Sequence, residues 1–225
     1  MPAVLPDLPQ TEIAIVEMTN AFRKENGLGA VKPNAALTAA ARAFAQYLAR
    51  TGKFAHGADG RQPADRAEAQ GYRYCLVAEN LSLNLDSRGF ASRRLAGDAV
   101  EGWKRSPTHR ANLLQAGATD IGVGVVHAPH RDPKFISVQL LGRPEALKVV
   151  FRIENRAAGT VIYALGDEQH DLAPRTIVTH TSCDAHRLSF EKAGAAAARF
   201  EPRNGDHFII NESPAGAIKV DVTRQ

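Results

Sequence analysis

His56, Glu79 and His109 have the side-chain types that do chemistry, and each sits in a stretch rich in turn-forming and polar residues. The stretches are Gly52-Lys53-Phe54-Ala55-His56 with Asp59-Gly60 after it, Ala78-Glu79-Asn80-Leu81, and Trp103 through Arg110. Two imidazoles and a carboxylate are a donor set for a divalent cation, zinc above all. The same groups make a general acid/base pair. Asn80 and Ser106 are the polar neighbours expected to line such a cleft. Ser106, one helical turn before His109, could also be drawn as a nucleophile with His109 as base and Glu79 as orienter. Ser106-Pro107 is equally an ordinary helix-ending pair, and no Gly-x-Ser-x-Gly elbow is present. The structural alternative for the whole set is a hydrogen-bonded polar cluster, with the histidines satisfied by Glu79, Ser106 or water.

The remaining histidines carry less. His127 and His130 read as members of a surface connection between two strands. His170, His180, His186 and His207 fall late in the chain at no metal-like spacing. Cys75 and Cys183 form no Cys-x-x-Cys pair, which argues against thiolate metal sites and thioredoxin-like chemistry. They are either two free thiols or one disulfide. A Cys75–Cys183 bond would close a loop of about 108 residues, worth roughly 4 to 5 kcal/mol in the chain-entropy model.

These groups need a scaffold, and the chain is long enough to build one. Its 225 residues, 44% hydrophobic and 23% charged, are ordinary for one large or two small globular domains. No run approaches the roughly 18 apolar residues of a membrane span. The start, Met1 to Pro9, lacks a basic and then apolar leader, so an exported protein would be present here without its leader. A net charge of +4 with dispersed basic residues argues against a nucleic-acid stripe.

Up to about residue 145 helical periodicity dominates. Ile15, Met18 and Phe22 mark one helix. Leu37, Ala41, Phe44 and Leu48 mark a second, opened by Pro33-Asn34 and stopped by Gly52. A third begins at Pro63 and ends at Gly71. A fourth carries Leu95, Ala99 and Trp103 and closes at Pro107, followed by a short helix through residues 111–114. Strands are expected over 121–126 and 135–141. This is an α+β pattern. After Glu145 the helical period gives way to short β-rich runs at 149–153, 161–165, 176–179, 187–190, 207–210 and 218–222, separated by turn residues. They predict a small antiparallel β-sandwich, with the alanine run 195–198 fitting it worst. The domains are therefore drawn as 1–145 and 146–225.

The order of landmarks in the first domain resembles the CAP superfamily of cysteine-rich secretory, antigen and pathogenesis-related proteins, in its bacterial branch. The landmarks are Asn20-Ala-Phe-Arg23 with Gly27-Leu28, the Ala-rich run Leu37–Ala49, Phe54-Ala-His56, Asp65-Arg66, Gly71-Tyr72, Glu79-Asn80-Leu81, Trp103, Ser106-Pro-Thr-His109-Arg110, Asn112-Leu-Leu114 and Ile121-Gly-Val-Gly124. They span roughly Thr11 to Gly142. The resemblance implies an α-β-α sandwich with a central cleft into which two histidines and acidic residues project. Many members carry a second acid where this chain has Ser106, so a paired-acid mechanism is not expected. Glu101 and Asp98 lie before Trp103, and Glu101 points away from the Ser106 face of the helix.

The resulting expectation is an exported protein, secreted or periplasmic, with a CAP-type sandwich followed by a small β-sandwich. Its cleft at His56, Glu79 and His109 is expected to take zinc or another divalent metal, or a small polar ligand. The expected role is recognition of a cell-envelope, lipid or protein partner rather than general protease or esterase activity. A metal-assisted or His/Glu-based hydrolase is the first alternative, and a lipid or sterol binder, as known for some members of the superfamily, the second.

Overall fold

The computed structural model describes residues 3–183, 187–191, 198–213 and 217–224. The chain divides into two compact units, Met1–Ala146 and Leu147–Gln225. His186 and residues 195–197 of the alanine run lie outside the described residues.

The first unit contains helices α1 (Leu8–Glu25), α2 (Ala35–Thr51), α3 (Pro63–Ala69), α4 (Ser92–Arg105) and α5 (Pro107–Leu113), with strands β1 (Lys32–Pro33), β2 (Tyr74–Leu85), β3 (Asp120–Ala128) and β4 (Lys134–Pro144). The strands form one sheet in the order β1-β3-β4-β2, with β2 and β3 each antiparallel to β4 and β1 parallel to β3. Apolar side chains cover both faces. Ile15, Phe22, Leu95, Trp103 and Leu113 pack with Val123 and Val125 on one side, and Leu37, Phe44, Leu48 and Ala67 pack with Val138 and Leu140 on the other. This is the expected α-β-α sandwich.

Local chemistry sets the helix ends. Asp7 and Asn34 cap α1 and α2 by accepting backbone N–H bonds, and Gly52 ends α2 in the left-handed region. Gly122 and Gly124 let β3 lie directly under α2. A Cβ at either would come within 2.3 Å of α2 backbone atoms.

Three first-unit features depart from the sequence reading. Helix α5 begins at Pro107, in the favoured first-turn position, rather than at Ala111, so His109 is a helical residue. His127 is on β3 rather than in the following connection, and packs against its cross-strand neighbour Phe135. The twelve-residue strand β2 has no counterpart among the expected strands.

The second unit contains β5 (Val149–Asn155), β6 (Val161–Leu165), β7 (Glu168–Leu172), β8 (Ile177–Ser182), β9 (Leu188–Phe190), β10 (Ala198–Phe200), β11 (Asp206–Glu212) and β12 (Ile218–Arg224). They form two sheets, β10-β9-β6-β7 and β12-β11-β5-β8. Phe151, Ile153, Phe208 and Ile210 from one sheet meet Val161, Tyr163, Leu188 and Phe190 from the other in a single core. A β-sandwich results, as expected, with one parallel pair, β5 with β11. Strands β7 and β10 are additional to the expected set. Neither Cys75 nor Cys183 is a free thiol.

Candidate functional site

Strand β2 is an edge strand, and the site forms around its middle. Neighbouring side chains on a strand point to opposite faces. Glu79 therefore turns toward the α2/α3 side, and Asn80 toward the side of α1 and α5. His56 arrives on the loop after α2, His109 on α5. Their rings meet with centroids 6.4 Å apart and planes tilted by 53°. His56 is half exposed, with 51% of its side chain accessible, while Glu79 retains 1%.

Glu79 is the hub. Its Oε1 lies 2.8 Å from His56 Nδ1, and its Oε2 accepts an Arg66 N–H at 2.8 Å. Arg66 is a buried cation on α3, with its guanidinium 3.6 Å from the centre of the Phe44 ring. The guanidinium also donates to Asp59 at 2.8 Å, to the Arg61 carbonyl at 2.9 Å and to the His56 carbonyl at 3.0 Å. One arginine thus holds the carboxylate and the backbone of the loop that carries His56. Charge-assisted bonds in a dry setting are the strong ones. Burial pushes the Glu79 carboxyl above the usual range, and the charges of Arg66 and His56 oppose that push.

The His109 side is held by neutral groups. Asn80 donates to the His109 carbonyl at 3.3 Å and to Gln139 at 3.0 Å, and Gln139 donates to Thr19 at 2.9 Å. Asn112 donates to the Glu79 carbonyl at 3.0 Å and to Asn80 Oδ1 at 2.9 Å. The Trp103 indole donates to the Leu81 carbonyl at 2.9 Å, tying α4 to the same strand. Arg23, fully buried, donates to the carbonyls of Leu113 and Gln115 at 2.9 Å each and so fixes the end of α5. Burial lowers the His109 pKa from its ordinary value, and the charge of His56 lowers it further. Both effects favour the neutral ring.

An aspartate or glutamate bonded to Nδ1–H fixes one imidazole tautomer and leaves Nε2 with its lone pair. His56 is in that position. Glu79 has both oxygens engaged, so it acts on His56 from behind. Among the described residues no group of three His, Cys, Asp or Glu side chains is arranged to hold a metal. Ser106 sits between α4 and α5, and its hydroxyl has no hydrogen-bond partner among the described residues. His130 bonds locally to Asp132 and, like His127, takes no part in the site. In the sequence Arg66 stands out only as half of the Asp65-Arg66 landmark. The available signal is a lone arginine next to Ala67 on the inward face of a short helix.

The profile of the cysteine-rich secretory protein (CAP) family matches residues 16–141, more than half of the chain. The chain belongs to that family. An uncharacterised protein of Bacillus subtilis (strain 168), YkwD, is 30% identical over 118 residues, which are 52% of this chain and 43% of that protein. The chain thus matches less than half the length of this curated relative. Among solved structures, an outer surface protein of Borrelia burgdorferi matches with a TM-score of 0.52 and 19% identity, over 60% of this chain and 93% of that one. An extracellular SCP-domain protein of Bacillus anthracis matches with a TM-score of 0.50 and 21% identity, over 60% of this chain and 41% of that one. The matches place the CAP domain in the bacterial branch, and the landmarks His56, Arg66, Glu79-Asn80, Trp103, His109 and Asn112 converge on the edge strand.

Proposed function

We propose that the CAP-domain cleft binds a divalent cation, zinc first, or a small polar ligand through His56 and His109, and that its role is recognition outside the cytoplasm rather than turnover. The observation that carries this reading is the chain from buried Arg66 through buried Glu79 to half-exposed His56. It holds one imidazole through Nδ1, leaving Nε2, beside a second imidazole whose neutral form burial favours. Two imidazole donors with a carboxylate behind one of them suit zinc, and water would complete the coordination. An exported location belongs to the same proposal. The similar Borrelia and Bacillus anthracis chains are described as outer-surface and extracellular proteins. No described helix is long and apolar enough to cross a membrane.

Hydrolysis is the weaker reading. His56 or His109 could serve as base, but the Ser106 hydroxyl is bonded to neither. A screen of esterase and protease substrates, with and without zinc, is expected to show no turnover. Turnover lost in both His56→Ala and Glu79→Ala would reverse that ranking.

The binding test is calorimetric. Imidazole must be neutral to ligate, and its unperturbed pKa is about 6.5. Zinc is expected to bind at pH 7.5 and to be lost near pH 5. The pair His56→Ala/His109→Ala is expected to abolish binding, while His127→Ala/His130→Ala leaves it intact. Equal affinity in the parent and the first pair would place the metal elsewhere.

A further inference from the structure

A second cavity, of about 360 Å³, lies between α2, α3 and the loop joining them, and none of His56, Glu79 or His109 lines it. Its wall includes Phe44, Tyr47, Arg50, Asp59, Arg61 and Arg66. Phe44 and Tyr47 are a stacked pair, with centroids 6.3 Å apart and planes within 13°. The Tyr47 hydroxyl is tied to the Ala58 carbonyl at 3.0 Å, which fixes that ring against the loop.

The charge around the cavity is unbalanced. Three arginines line it with a single acid, Asp59. That carboxylate is already engaged by the Arg66 guanidinium at 2.8 Å and by the Arg61 backbone N–H at 3.2 Å. Arg66 shares its charge between Asp59 and Glu79. Its Nε–H is buried with no acceptor. Among the described residues Arg50 and Arg61 have no carboxylate partner, and Arg50 lies 5.8 Å from the centre of the Tyr47 ring. Two guanidinium forks without a carboxylate partner thus flank a concave surface that includes the half-buried Tyr47 ring, while the Phe44 ring is covered by Arg66. Guanidinium groups match the planar oxygens of carboxylate and phosphate, and an aromatic ring favours a flat apolar body.

We propose that this cavity binds a small organic anion, a flat or aromatic body bearing one carboxylate or phosphate group, with Arg50 and Arg61 closing on the oxyanion. The site is separate from the histidine cleft, and the proposal stands whether or not that cleft takes a metal.

The test uses the full chain, isotope-labelled for amide NMR. Benzoate and phenyl phosphate are the probes, with phenol and inorganic phosphate as the two halves. Both organic anions are expected to give saturable shifts around Tyr47, Arg50 and Arg61 with a dissociation constant of about 1 mM or tighter. Each half alone is expected to bind at least about 10-fold more weakly, and Arg50→Ala/Arg61→Ala to weaken both anions at least about 10-fold. These arginines are exposed, so the double variant should retain the parent's far-UV spectrum. Arg93→Ala, a distant exposed arginine, serves as the charge control and is expected to match the parent. The tighter of the two anions identifies the preferred oxyanion. The proposal is overturned by the absence of saturable shifts, by inorganic phosphate binding as tightly as phenyl phosphate, or by a double variant that binds like the parent.

Discussion

The molecule contains two histidine pairs of similar geometry in different surroundings. In the CAP domain the rings of His56 and His109 are 6.4 Å apart and tilted by 53°. In the β-sandwich His170 on β7 and His180 on β8 are 5.6 Å apart and tilted by 58°. The first pair has a buried carboxylate behind it, itself clamped by a buried arginine. The second is packed among aromatic rings. Tyr163 places its hydroxyl 2.7 Å from His180 Nε2, His170 stacks on Tyr163 at 5.1 Å, and Phe151 stacks on His180 at 5.2 Å. Its nearest carboxylate among the described residues is Glu168, 4.0 Å from His170 and 86% exposed. Proximity of two imidazoles therefore does not define a site. The first pair is distinguished by a buried carboxylate bonded to one exposed imidazole, the second by a phenol and stacked rings in a core.

The largest expected effect is on the clamp. Arg66→Ala leaves Glu79 buried and without its cation, and breaking a buried ion pair from one side costs roughly 3 to 5 kcal/mol. Chemical denaturation of the first unit should show a loss of that size. Arg66→Lys should recover only part of it, because an ammonium cannot serve Asp59, Glu79 and two carbonyls in the same fork. A loss below about 1 kcal/mol, the range of an exposed pair, would mean the Arg66–Glu79 charge pair is not what separates the two histidine pairs.

How much of this is legible in the sequence follows from how each feature is encoded. The amphipathic helices announce themselves by period and caps, as with Asn34 before α2 and Gly52 after it. The convergence of His56, Glu79 and His109 has no local code, because the segments meet only around an edge strand. The order of the family landmarks carries that information. β2 escapes because Glu79, Asn80, Ser82 and Asn84 break its apolar run; Ser82 bonds Asn84 within the strand, and the partners of Glu79 and Asn80 come from other elements. The pair His170 and His180 escapes for a related reason. β7 reads Glu-Gln-His-Asp-Leu, a polar string, and the two histidines belong to different sheets of the sandwich. Arg66 is visible as a landmark, but its role depends on Asp59, Glu79 and Phe44 arriving from three directions.

A pH titration of stability sharpens the comparison. Burial lowers the pKa of both His109 and His180, and each is lowered further by its partner histidine's charge. A histidine with a depressed folded pKa binds fewer protons folded than unfolded. Its contribution is present above the unfolded pKa of about 6.5 and is lost as pH falls toward the folded value. Both units should therefore weaken as pH falls below about 6.5. Glu79 has the opposite sign, because its raised pKa penalises the ionised form. Between about pH 6.5 and 4.5, before the carboxylates held low by their partners (Asp86 in the CAP domain, Glu154 and Asp221 in the β-sandwich) take up protons, the loss should then be steeper in the β-sandwich than in the CAP domain. Hydrogen exchange of core amides in each unit, measured at several pH values, reads the two slopes separately. Equal slopes would remove the distinction.

The smallest expected effect is on the sandwich pair alone. Tyr163 is buried, and its hydroxyl meets His180 across the two sheets. Tyr163→Phe keeps the ring, its stacking on His170 and its packing against Phe190, and removes one neutral hydrogen bond. Such a bond contributes about 1 kcal/mol net. Neutral His180 Nε2 accepts from the phenol or, in its Nε2–H tautomer, donates to it, and protonated His180 donates to it. The substitution therefore removes a bond in either state, and the stability loss should change little between pH 7.5 and 5.5. If the Tyr163→Phe loss instead disappeared at the lower pH, the hydroxyl would be bonding only the neutral imidazole, and the Tyr163–His180 link would be a pH-sensitive tie between the sheets. Zinc binding by the CAP cleft should be the same in this variant as in the parent. A change there would mean that the two histidine pairs are not independent.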